Sequence, residues 1–103
     1  MTVEPDIAAA AALIGDPARA AMISVLSGGE AYPASVLALR AGISAQTASA
    51  HLAKLVSAGM VAVAKNGRLR LYSLSSYRVA DAFEALASIS PPKPARSPRL
   101  SGA

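Results

Sequence analysis

The sequence predicts a mainly α-helical fold with one small β-hairpin, in the element order of a winged helix-turn-helix, and it predicts that two copies associate. Three observations carry this. Apolar residues recur at helical spacing in successive segments up to Val56, two of them separated by the short turn Ala41-Gly42-Ile43. After Gly59 the spacing changes to alternation, through Met60-Val61-Ala62-Val63-Ala64-Lys65, Asn66-Gly67 and Arg68-Leu69-Arg70-Leu71-Tyr72-Ser73-Leu74. Finally, 53% of the 103 residues are hydrophobic, yet there is one Phe, no Trp and a great deal of alanine. Alanine-rich helices bury little area each, so a thin core is expected to gain from a second copy.

The elements follow in order. Pro5 to Ile14 reads as an alanine-rich helix whose larger apolar groups are Ile7, Leu13 and Ile14, expected at an interface. Gly15 breaks it, and Asp16-Pro17 restarts with a capping acid and a proline at the first helical position, where its missing N–H costs nothing. This second helix runs to about Leu26, with Ala18, Met22, Val25 and Leu26 on one face, and Ser27-Gly28-Gly29 stops it. Glu30-Ala31-Tyr32 is extended, because the residue before a proline is pushed out of the helical region. Pro33 opens a third helix through Arg40, with Val36, Leu37 and Leu39 apolar. Ser44 caps a fourth and Gly59 ends it in the left-handed region; between them Ala48, Leu52, Leu55 and Val56 form the stripe of a helix packed on a core.

Two hairpin registers compete. A two-residue Asn66-Gly67 turn sets Val61 and Val63 opposite Tyr72 and Arg70. A three-residue loop, Lys65-Asn66-Gly67, instead pairs Val63 with Leu69 and Val61 with Leu71, which gathers four apolar groups on one face and leaves Arg68 and Arg70 outward beside Lys65. The second is preferred on that ground. From Ser75 or Ser76 a last helix runs to about Ile89, with Val79, Ala82, Phe83, Leu86 and Ile89 on one side. Ile7, Leu13, Val79, Phe83 and Leu86 are the expected dimer-interface residues. Residues 1–89 therefore read as one winged-helix and dimerisation domain. Residues 90–103, with four prolines and three cations, read as a disordered tail or linker.

Charge is distributed unevenly along the chain. The net charge is +4, but the first thirty residues hold Glu4, Asp6, Asp16 and Glu30 against Arg19 alone. Residues 31–80 carry Arg40, Lys54, Lys65, Arg68, Arg70 and Arg78 and no acid. The outer faces of the fourth helix offer Gln46, Thr47, Ser49, Lys54 and Ser57, short hydrogen-bonding groups and one cation, which suit phosphates and base edges. That helix is expected in the major groove of double-stranded DNA. Ser44 sits at its cap, and Gln46, Thr47, Ser49 and Ala50 lie near base edges, Ala50 offering at most a contact to a thymine methyl. His51 orients the base of the helix or meets a phosphate. Lys54, Lys65, Arg68 and Arg70 take phosphates or the minor groove. One His and no Cys leave no nucleophile-and-base pair, so catalysis has no support, and neither a disulfide nor a thiolate metal site is available. The N-terminus lacks the basic start of a signal peptide and Ile7 to Ile14 is too short to span a bilayer, so a cytoplasmic location away from membranes is expected.

Several of these pieces occur at a joint spacing that resembles the ArsR/SmtB group of dimeric bacterial transcriptional repressors: Leu13-Ile14-Gly15-Asp16-Pro17-Ala18-Arg19, then Ile43 to Leu55, then Ala58-Gly59-Met60-Val61, then Asn66-Gly67-Arg68 and Leu71-Tyr72. The likeness covers roughly residues 7–89. It implies that the first and last helices form the dimer interface and that the fourth helix reads a pseudo-palindromic operator. Metal sensors of the group use thiolates on the third helix or an Asp/His set on the last. Here Tyr32 and Ala34 stand where the paired cysteines would fall, Phe83 follows Asp81 where a His is wanted, and no His occurs after His51. No metal or cofactor is expected, Asp81 reads as a surface group, and the effector is unknown. The chain also resembles a longer subgroup in which a Pro/Arg segment leads into a second domain, so a truncated regulator is one alternative. A winged-helix module that docks a protein partner through its wing or tail is another.

Overall fold

The computed structural model describes residues 3–94. Seven elements follow in order: α1 (Ile7–Ile14), α2 (Pro17–Leu26), α3 (Ala34–Ala41), α4 (Ala45–Ser57), β1 (Val61–Asn66), β2 (Leu69–Leu74) and α5 (Tyr77–Ser88). Side-chain caps start four of the helices, and the first begins at Ile7 behind Asp6 rather than at Pro5. Asp6 accepts from the Ala9 N–H, Asp16 from Arg19 with Pro17 at the first position, Ser44 from Thr47, and Ser76 from Arg78. Pro33 stands just before α3 rather than inside it.

The core lies between α2, α3 and α4 and is closed by the inner end of the hairpin. Met22, Ile23, Leu26, Leu37, Leu52 and Leu55 are wholly buried, with Ala38, Ala48, Val61 and Tyr72 around them. Each of the large ones contributes roughly 1.5–3 kcal/mol of burial. Ala38 and Ala48 leave room for α3 and α4 to approach closely. The turn between those helices is tight because Gly42 adopts φ 71°, and Ile43 N–H then reaches back to the Ala38 carbonyl at 3.0 Å. This wraps the end of α3 in the left-handed cap that only glycine enters without strain. Leu39, counted among the apolar positions of α3, is 80% exposed.

The hairpin takes neither of the two anticipated registers. Val61 pairs with Leu74, Val63 with Tyr72, Ala64 with Leu71, Lys65 with Arg70 and Asn66 with Leu69, so the turn is Gly67-Arg68. Gly67 takes φ 67° and no other kind of residue in the described chain has positive φ. An Asn66-Gly67 turn of the I′ kind needs two such residues, whereas one with glycine first needs one. A second cause lies in the interior. Tyr72 is buried and exchanges both backbone hydrogen bonds with Tyr32, at 2.9 and 2.8 Å, so a single bridge from the segment before α3 pins β2. Tyr72 and Leu74 thus face inward with Val61, Val63 lies on the same face farther out and is exposed, and Leu69 and Leu71 fall on the other face, Leu69 being 51% exposed.

α1 and α5 lie on the outside. α1 buries none of its residues and meets α2 at a sharp corner of 88°; α5 packs on α2 and β2 through half-buried Val79 and Phe83. No single helix among the described residues is long and apolar enough to cross a membrane. Residues 91–94 form no regular structure, and residues 95–103 of the proposed tail lie outside the described residues.

Candidate nucleic-acid interface

α4 shows two faces. Ala48, Leu52 and Leu55 are sealed in the core, while Gln46, Ser49, Ala50 and Ala53 recur at i, i+3, i+4 and i+7 on the exposed side and continue to Ser57. Gln46 is the one long side chain on this ridge. Ser49, Ala50 and Ala53 are small, so the helix backbone can come close to whatever the ridge meets. Ala53 was not among the expected contacts, although its spacing from Ala50 marks it. Thr47 and Lys54 flank the ridge on one side and are exposed.

At the helix start the Ser44 hydroxyl donates to Thr47 Oγ1 at 2.9 Å and accepts from the Thr47 N–H at 3.1 Å. Ser44 is thereby occupied in shaping the terminus. The Thr47 hydroxyl keeps its own proton free to donate outward. The unpaired N–H groups of this first turn face solvent beside it, the kind of terminus that favours an anion.

The wing gathers cations. Lys65, Arg68 and Arg70 are all exposed at its tip, and the observed register sets Lys65 directly opposite Arg70. Like charges facing each other across an antiparallel pair are destabilising unless an anion lies between or beside them. No ion pair to an acid relieves them among the described residues. The wing is thus built at some cost to itself in a form that suits a phosphate.

His51 is turned away from the ridge toward the corner between α1 and α2. Its side chain is 18% exposed; Nδ1 lies 2.9 Å from Arg19 Nη1, and Nε2 lies 3.7 Å from Asp16 Oδ2. A guanidinium only donates, so Nδ1 accepts and the ring proton sits on Nε2, facing the carboxylate. Arg19 also donates through Nε to the Leu13 carbonyl and through Nη2 to the Ala12 carbonyl at 3.3 Å. The backbone N–H of Arg19 holds the Asp16 carboxyl below the usual carboxylate range; partial burial opposes this, and the nearby His51 ring and Arg19 guanidinium reinforce it. Nothing in the sequence marks Arg19 as a partner of His51, because the two are 32 residues apart along the chain. Asp81 is exposed, and no group of three or more His, Cys, Asp or Glu among the described residues is arranged to hold a metal ion.

A family model described as a helix-turn-helix domain matches residues 14–64, the stretch from the end of α1 through β1. This stretch of the chain is similar to a helix-turn-helix domain, and the described fold is that of a winged helix-turn-helix. An uncharacterized HTH-type transcriptional regulator of Bacillus subtilis, YdfF, is 40% identical over 89 residues, which are 86% of this chain and 39% of that protein. The chain thus spans less than half the length of this relative. Among solved structures, the transcriptional repressor BigR from Xylella fastidiosa superposes with a TM-score of 0.73 at 23% identity, covering 85% of this chain and 89% of that one. The homodimeric winged helix-turn-helix DNA-binding domain of Mb0332 from Mycobacterium bovis, a possible ArsR-family regulator, gives 0.72 at 22% identity over 86% and 89%. At these identities the two structures speak for the fold. In a winged helix-turn-helix fold α4 stands in the position of the second helix of the helix-turn-helix pair and β1–β2 in that of the wing.

Proposed function

We propose that this chain is the DNA-reading part of a transcriptional repressor that binds a pseudo-palindromic operator as a homodimer in the cytoplasm. The observation that carries this is the acid-free ridge of α4 flanked by a wing whose Lys65 and Arg70 face each other. Gln46 and the small residues beside it enter the major groove; Thr47, Lys54, Lys65, Arg68 and Arg70 meet phosphates or the adjacent minor groove. Self-association is supported by the outward apolar groups of α1 and α5. Ile7 is 73% exposed, and Ile14, Ala20, Phe83 and Leu86 line an open groove of about 400 Å³ between these helices and α2. The homodimeric state of the Mb0332 domain supports it too. What else YdfF carries beyond the matched region belongs to YdfF.

Selection from a random duplex library tests the reading. The expected result is enrichment of an inverted repeat whose half-site centres lie about one helical turn apart. Recovery of no motif over several rounds would reject sequence-specific recognition and favour a protein-docking role for the wing.

A further inference from the structure

The geometry points to Arg19 as a strut, a positioning residue that fixes the angle between α1 and α4 and so sets the half-site spacing the dimer accepts. This rests on the homodimeric reading above. α1 is otherwise loosely held: it buries no residue, only Leu13 and Ile14 pack partly on the core, and it turns into α2 through an 88° corner at Gly15. Across that corner reaches one side chain. The Arg19 guanidinium donates to the carbonyls of Ala12 and Leu13, which are last-turn carbonyls left without a helical partner, and with its remaining nitrogen to Nδ1 of His51, in the middle of α4. Hydrogen bonds from a charged donor are the stronger kind, and the planar fork serves acceptors on two helices at once where a lysine ammonium serves one direction. Asp16, which caps α2 and faces Nε2, holds the imidazole from its other side.

The consequence is geometric. If α1 docks on its counterpart in the second copy, its angle to α4 decides how far apart the two recognition helices stand. Each base pair moves a half-site by about 3.4 Å along the helix axis, so a small change of angle alters which spacing fits.

The test uses the full chain and duplexes carrying the half-sites selected by the wild type, with the spacing changed by up to three base pairs either way. The wild type is expected to show one optimum, with affinity falling by about tenfold or more away from it. Arg19→Lys and His51→Ala are each expected to flatten that preference by about fivefold or more. The double variant should be no flatter than Arg19→Lys alone, because both changes cut one link. His51→Asn, whose amide oxygen can stand where Nδ1 accepts, should recover the preference, while His51→Gln should not. Unchanged preference in Arg19→Lys and His51→Ala overturns the strut. So does an affinity loss equal at every spacing together with a lower melting temperature, which marks a merely structural contact. If either variant fails to fold, the Asn and Gln variants decide. A wild type without any spacing optimum, or monomeric by sedimentation, instead removes the homodimeric reading and the strut with it.

Discussion

Helix α4 and the β1–β2 wing are neighbours in the fold, yet they are held in opposite ways. α4 has one face sealed by Ala48, Leu52 and Leu55, a capping serine at one end and Gly59 in the left-handed region at the other. The outer part of the hairpin, from Ala64 to Arg70, is exposed throughout and ends in three cations. Burial decides the position of the first; turn geometry and one backbone bridge at Tyr72 decide the second. The lesson is that the helix proposed to read DNA is held by packing, whereas the wing proposed to meet phosphates carries charge that its own fold does not neutralise.

Substitutions can break this comparison at several points. The largest effect is expected in the buried half of α4. Leu52→Ala should cost about 2–5 kcal/mol of stability by leaving a cavity between α2 and α3, read as a shifted urea midpoint; a loss under half of that would mean the site collapses and the helix is held by something other than its core. On the opposite face Gln46→Ala should leave the midpoint alone and cost roughly 1–3 kcal/mol of discrimination between the selected operator and a variant altered at the contacted base. Equal binding of both sequences before and after the change would misplace the helix in its groove.

The wing should respond in the reverse sense. Arg70→Ala relieves the like-charged pair with Lys65, so stability should hold or rise by up to about 1 kcal/mol. Affinity should fall for every DNA sequence alike, and the slope of log affinity against log salt should shrink by about 1. A drop in stability would show that Arg70 is held by a contact within the protein. The smallest effect concerns pH. Because the folded Asp16 carboxyl titrates below its unfolded range, its contribution is present at neutral pH and is lost as pH falls through the acid range. Asp16→Asn keeps a capping side chain and should flatten that acid arm of the melting temperature; an unaltered arm would assign acid sensitivity to other carboxylates.

The same contrast explains what the sequence allowed to be read. Asp16-Pro17, Ser44, Gly42 and the stripe from Ala48 to Leu55 each act through local geometry or one-sided burial, and each stands where periodicity and capping place it. The hairpin register departs from the one that apolar grouping favours. Leu69 and Leu71 have no core to meet on their side, while Tyr72, a residue with a polar end, is the one that goes inside. Leu39 taught the same point on α3. Arg19 and His51 were illegible as a pair for a different reason: hydrogen bonds between separate helices leave no period and no local spacing. The ridge of α4 was legible in its polar members and incomplete only at Ala53, whose contribution is to be small.

One measurement bears most directly on whether α4 and the wing read DNA. Fluorescence anisotropy of a labelled duplex from upstream of the chain's own gene, against a scrambled duplex of equal length at several salt concentrations, separates recognition from simple charge attraction. The account predicts tight upstream binding that exceeds the scrambled control by a factor of about a thousand or more, with affinity for both falling linearly in log salt. Equal and weak affinity for the two duplexes, or affinity indifferent to salt, would contradict it.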